Sequence, residues 1–154
     1  MKPATRLWVA IRYLRWAGVV PAAVLAWQAV FVLGLLLLST LDSFCPPALV
    51  VSGHCTADWH PAATRAVFVL CAGLAAFSVV LGAALVAPAH RRLVAATAFG
   101  IGLVVAACMA VPIGAGLELL AATAAGWAGI YIAAGFAPPP ASADGAGPRA
   151  PGGV

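Results

Sequence analysis

The sequence predicts an all-α membrane protein: a four-transmembrane-helix up-down bundle, both termini inside, with a short amphipathic N-terminal helix and a disordered C-terminal tail. Three observations carry that expectation. First, of 154 residues 64% are hydrophobic and 8% charged, with a mean hydropathy of +1.08. Soluble domains average about 25% charged residues, and a soluble fold of this length has too much surface to hide so many apolar side chains. Second, apolar runs long enough to cross a bilayer recur four times, separated by Pro, Gly or polar punctuation. Third, basic residues collect at the flanks of those runs, where they orient a chain in a membrane. The formal net charge of +4 is accounted for by these flanks, so nucleic acid is not an expected partner.

Residues 1–15, MKPATRLWVAIRYLR, hold Lys2, Arg6, Arg12 and Arg15. Leu7, Ile11 and Leu14 share one helical face. Trp8, Tyr13 and Trp16 are residue types that settle at the headgroup level. This segment reads as a basic interfacial helix leading into a four-helix domain over 16–137. The first span is 16–41, with Pro21 in its opening turns. It is too long for the apolar core of a cleaved signal, and no small-x-small site follows.

The loop 42–61, DSFCPPALVVSGHCTADWHP, is the one polar island, with two of the four cysteines and two of the three histidines. Pro61 and Pro88 bracket a second span over 62–87. A short basic turn ending in His90, Arg91 and Arg92 leads to a third span, 93–111. Residues 112–116, PIGAG, read as a tight turn. The fourth span is 117–137. The tail, 138–154, is too rich in Pro and Gly to fold.

Orientation follows from the charges. Lys2, Arg6, Arg12, Arg15, Arg91, Arg92 and Arg149 fall on one side of four spans, and Arg65 on the other. The positive-inside rule places the termini in the cytoplasm and the loop outside. Seven arginines against a single lysine, with abundant Ala and Gly, suggest a bacterial source, and so a bacterial cytoplasmic (inner) membrane. Within lipid, helices associate through close packing of small residues. Ala72, Ala76, Val80 and Ala84, then Ala98, Gly102, Ala106 and Ala110, then Ala121, Ala125, Gly129 and Ala133 form three such ridges. Gln28, near the middle of the first span, needs a polar partner, and Ser78 lies at a matching depth.

Cys45 and Cys55 share an outer loop, where thiols oxidise, and Pro46, Pro47 and Gly53 favour chain reversal between them. A Cys45–Cys55 disulfide is expected. Cys71 and Cys108 sit at different depths in their spans and read as unpaired, buried small hydrophobes. His54, Asp58 and His60 offer a minority metal site, although their spacing matches no recurrent ligand pattern. Glu118, in the first turn of the last span, reads as a helix-dipole partner or a mate for Arg65, which could equally pair with Asp42 or Asp58. As an acid at a membrane edge it is also a transport candidate, together with Gln28.

No catalytic residue or cofactor site is evident. A quinone-coupled membrane thiol oxidase would share the helix count and the outward cysteines. Its chemistry uses a C-x-x-C pair, which this chain lacks. The expected function is therefore non-enzymatic: an accessory or assembly subunit presenting the disulfide-closed loop to another membrane or periplasmic protein, or associating with itself. The alternative is a small oligomeric proton- or cation-coupled transporter using Glu118, and a membrane thiol-redox protein comes third.

Overall fold

The computed structural model describes residues 11 and 13–135. Most of the interfacial segment and the whole of the tail expected beyond 137 lie outside these residues. Four helices follow one another: α1, Val19–Ser43; α2, His60–Val86; α3, Arg91–Ile113; and α4, Gly116–Gly135. All four are long and apolar enough to cross a membrane, so the chain is a multi-pass membrane protein. A two-stranded antiparallel hairpin, β1 (Val50–Val51) and β2 (His54–Cys55), joins α1 to α2. That hairpin is an addition to the expected all-helical fold.

The helix limits correct the expected ones in three places. Residues 13–17 are already helical, and the first span runs Tyr13–Ser43. The turn at Gly18 lies three residues before Pro21, whose missing N–H leaves the local helix ladder one bond short. The loop is also shorter than 42–61, because Asp42 ends up in the last turn of α1 and His60 and Pro61 in the first turn of α2. A proline there forfeits only an N–H that has no partner in the helix. Finally, Pro112 lies inside α3 and not in the following turn. Gly114 ends the helix instead, at φ 69° and ψ 24°. Ala115 N–H donates to the Ala110 carbonyl at 3.0 Å and Gly114 N–H to that of Val111 at 3.3 Å. This is the Schellman arrangement, which needs a residue that tolerates positive φ.

The helices do not form a four-square bundle. Helix α2 packs against all three others, and α1 packs chiefly on α2. Helix α1 has no fully buried residue. The core is Val80, Ala84, Ala95, Ile130 and Ala133, with Phe99 against it. All of these come from the C-terminal halves of α2 and α4 and the start of α3, so the core sits at the end away from the hairpin.

Small residues set that packing. A Cβ at Gly129 would stand 3.2 Å from Val80 Cγ1, and one at Gly126 would overlap the Phe99 ring. The ridges expected on α2 and α4 meet here: Val80, Ala84, Gly129 and Ala133 are all buried. The ridge expected on α3 is a seam only in part: Ala98, Ala106 and Ala110 are half-buried. Gly102 is exposed and meets nothing within 4 Å. The deepest contacts of α3 are made at Ala95, which is buried, and at Phe99, whose ring fits the notch left by Gly126.

One partnership, Gln28 with Ser78, differs from expectation. Gln28 is exposed on α1, while Ser78 Oγ donates to the Ala75 carbonyl of its own helix at 3.2 Å. Thr97 and Thr123 likewise bond back to the carbonyls of Leu93 and Leu119, at 2.9 and 2.7 Å. Hydroxyls that satisfy themselves within a helix have no need of a cross-helix partner.

Gly126→Ala should lower stability by about 1–3 kcal/mol, the usual cost of overpacking a filled site. Gly102→Ala should leave it unchanged. Unfolding midpoints in mixed micelles check both, and Phe99→Leu should relieve the Gly126→Ala defect.

Candidate functional site

The polar residues gather at the hairpin end, in two connected features. The first is the hairpin itself. Val50 pairs with Cys55 and Val51 with His54. Ser52 and Gly53 make the turn, with φ of 51° and 80°. Two successive positive φ values give the backbone twist that suits a two-residue hairpin. The ladder is extended at its base, where Thr56 N–H and Thr56 Oγ both donate to the Leu49 carbonyl, at 2.9 and 2.7 Å.

Cys45 and Cys55 are joined by a disulfide, S–S 2.07 Å with Cα atoms 5.9 Å apart. It ties the hairpin to the end of α1. A second tie runs between the helices: His60 Nε2 and Asp42 Oδ1 are 2.8 Å apart, a hydrogen bond that becomes an ion pair when His60 is protonated. The His60 side chain is 17% exposed and that of Asp42 66%, so water screens the contact and it orients more than it stabilises. Trp59 sets its indole edge-on to the His60 ring at 5.7 Å. Leu49, Val50 and Val51 are left exposed along the first arm of the hairpin, Val51 by 59%.

The second feature is an open cleft of about 630 Å³ between the start of α2 and the α3–α4 turn. His60, Thr64 and Arg65 line one side and Glu118 the other. Glu118 Oε2 and Thr64 Oγ are both enclosed and have no hydrogen-bond partner in the protein. The expected pairing of Arg65 with Asp42, Asp58 or Glu118 does not occur: among the described residues the one ion pair joins Asp42 to His60. Asp42 lies within reach of the first residue of α2, one turn before Arg65. Glu118 keeps its place in the first turn of α4, where the helix dipole favours a carboxylate.

The structure does not bring the other proposed sets together. Among the described residues no three His, Cys, Asp or Glu side chains converge on a point that could hold a metal. His54 sits in the hairpin and His60 is engaged by Asp42, away from Asp58 as a ligand set. Gln28 does not line the cleft that Glu118 faces. Cys71 and Cys108 are both free; Cys71 is half-buried against Gly34, while Cys108 is exposed on α3 instead of buried. Thr64 and the Asp42–His60 pair were not singled out by sequence reasoning. The Ser52-Gly53 dipeptide between Val-Val and His-Cys is the signal that announces the hairpin.

Cys45→Ser with Cys55→Ser should remove about 2–3 kcal/mol by releasing the closed loop. A slower band on non-reducing gels and a lower unfolding midpoint read the effect; an unchanged midpoint would mean that the Asp42–His60 contact and the hairpin ladder hold the loop unaided.

No protein-family model, curated protein or solved structure matches this chain.

Proposed function

We propose that this chain is a non-enzymatic accessory or assembly protein of a bacterial cytoplasmic membrane. Its termini lie in the cytoplasm, and its hairpin presents a recognition surface outside to a membrane or periplasmic protein. The observation that carries this reading is the exposed apolar stretch Leu49, Val50 and Val51, on a loop held by a disulfide and by the Asp42–His60 contact. Exposed apolar side chains on a constrained loop suit docking, because little conformational freedom is lost on binding. Orientation is supported by Arg91 and Arg92, at the end of the bundle away from the hairpin.

The alternatives have weaker support. A transport path between protomers would use Glu118 and Gln28, which is exposed on α1 and lies outside the cleft at Glu118. A thiol-redox role lacks a vicinal cysteine pair.

In intact cells an impermeant maleimide should label Asp58→Cys, and should label Ala89→Cys only after permeabilisation; the reverse pattern would overturn the orientation. Blue-native gels of native membranes should show a discrete hetero-complex. Val51→Asp should weaken it at least about tenfold, as for a buried interface anchor. A partner-free monomer in the unaltered membrane would sink the docking reading.

A further inference from the structure

The polar cleft does not end at the membrane surface. It shares Phe68, Ile113, Ala115 and Glu118 with a second groove of about 460 Å³, which runs down between α1 and α2. Below Glu118 the walls of this groove are apolar: Trp27, Phe31 and Leu38 on α1, and Cys71, Ala72 and Ala75 on α2. From Leu38 to Trp27 it follows α1 for about 16 Å, at 1.5 Å per residue. The hydrocarbon core of a bilayer is about 30 Å thick, so the groove has the depth of one leaflet.

Its mouth carries unsatisfied chemistry of two signs. Glu118 Oε2 and Thr64 Oγ are enclosed without a protein partner, and an enclosed carboxylate oxygen needs a donor. Arg65 lines the same mouth, yet forms no ion pair with Glu118. A ligand that fits must bring an N–H-bearing cation to Glu118, an anion to Arg65, and an apolar chain to the groove.

We propose that this groove binds a zwitterionic phospholipid with a primary ammonium head, from the leaflet on the hairpin side. The ammonium donates to Glu118 Oε2 and Thr64 Oγ, Arg65 takes the phosphate, and one acyl chain lies along Phe31 and Ala72. The choice of head group follows from hydrogen-bond inventory. A trimethylammonium head has no N–H to donate. A glycerol head leaves the lipid with net negative charge beside Glu118. The inference rests on the membrane-spanning fold and is independent of the docking role of the hairpin.

Native mass spectrometry of the disulfide-intact full chain tests it. The protein is offered equal amounts of phosphatidylethanolamine, phosphatidylcholine and phosphatidylglycerol with identical acyl chains. Phosphatidylethanolamine should be retained about tenfold over phosphatidylcholine, the factor expected for one charge-assisted hydrogen bond. Glu118→Gln should abolish that preference while lipid binding persists, and Arg65→Gln should lower retention of all three. Should Glu118→Gln fail to fold, Thr64→Val supplies the same arm, with a smaller loss of preference expected. Equal retention of the three lipids by the unaltered protein, a preference for phosphatidylglycerol, or a preference that survives substitution at the mouth would each overturn the proposal and leave a groove filled by bulk lipid.

Discussion

The rest of the structure depends on the close approach of α2 to α4, made through Gly129 against Val80. In hydrocarbon there is no water to expel from between two apolar helices, so contact must come from shape. A glycine on one helix admits the branched side chain of the other, and the backbone carbonyl of Phe77 lies just beyond, 3.5 Å from where a Cβ would stand. Phe99 of α3 then fills the notch at Gly126. Its ring also lies 5.8 Å from that of Trp127, which in turn faces Tyr131 at 6.4 Å. These contacts belong to the end of the bundle that holds the core, and they fix three helices there as one unit.

Toward the opposite end the approach of α2 to α4 continues at Gly73, where a Cβ would stand 3.6 Å from the Ala121 carbonyl oxygen and from Ala125 Cβ. Helix α2 keeps α1 beside it through Gly34, which meets Cys71 Sγ at a would-be Cβ distance of 3.2 Å. The turn between α3 and α4 stands off from them, leaving the cleft at Thr64, Arg65 and Glu118. Two ties compensate at this level, the Cys45–Cys55 bond and the Asp42–His60 contact. One fastens the hairpin to α1 and the other fastens α1 to α2. Neither reaches α3 or α4, so the Glu118 side of the cleft is placed by packing alone, including the approach of Ala121 to Gly73 one turn below Glu118.

How much of this was legible in the sequence depends on the kind of signal. Hydropathy reports the solvent of each segment, and it gives four spans because a bilayer tolerates little else. The cysteine pair was legible because two thiols in one short loop have few other mates. Packing was only half legible. On α2 and α4 the ridges through Val80 and Gly129 are seams, yet the equally regular ridge on α3 is half-buried at Ala98, Ala106 and Ala110 and exposed at Gly102. An alanine-rich helix has small residues on several faces, and a period cannot say which face a neighbour will choose. The charged partnerships were legible least. Arg65, Asp42, Asp58 and Glu118 lie near one another along the membrane normal, but which pair forms depends on where α1 ends and α2 begins. Moving those ends by two residues takes Asp42 into a helix and gives it His60.

Glu118 is where these strands meet. Leaving a buried polar oxygen without a partner costs about 1–3 kcal/mol, and more when the group is charged. A carboxylate at the start of a helix recovers part of that from the dipole, but the dipole acts on the charge as a whole and supplies no donor to Oε2. Arg65 lines the facing side of the cleft but makes no ion pair with Glu118. The separation is thus a consequence of how the bundle is built: tight where glycines permit it, cross-linked on one side only, and open between. A chain with so few charges has placed two of opposite sign on facing sides of this cleft. Because the bundle holds them apart, they are available to something that enters between them.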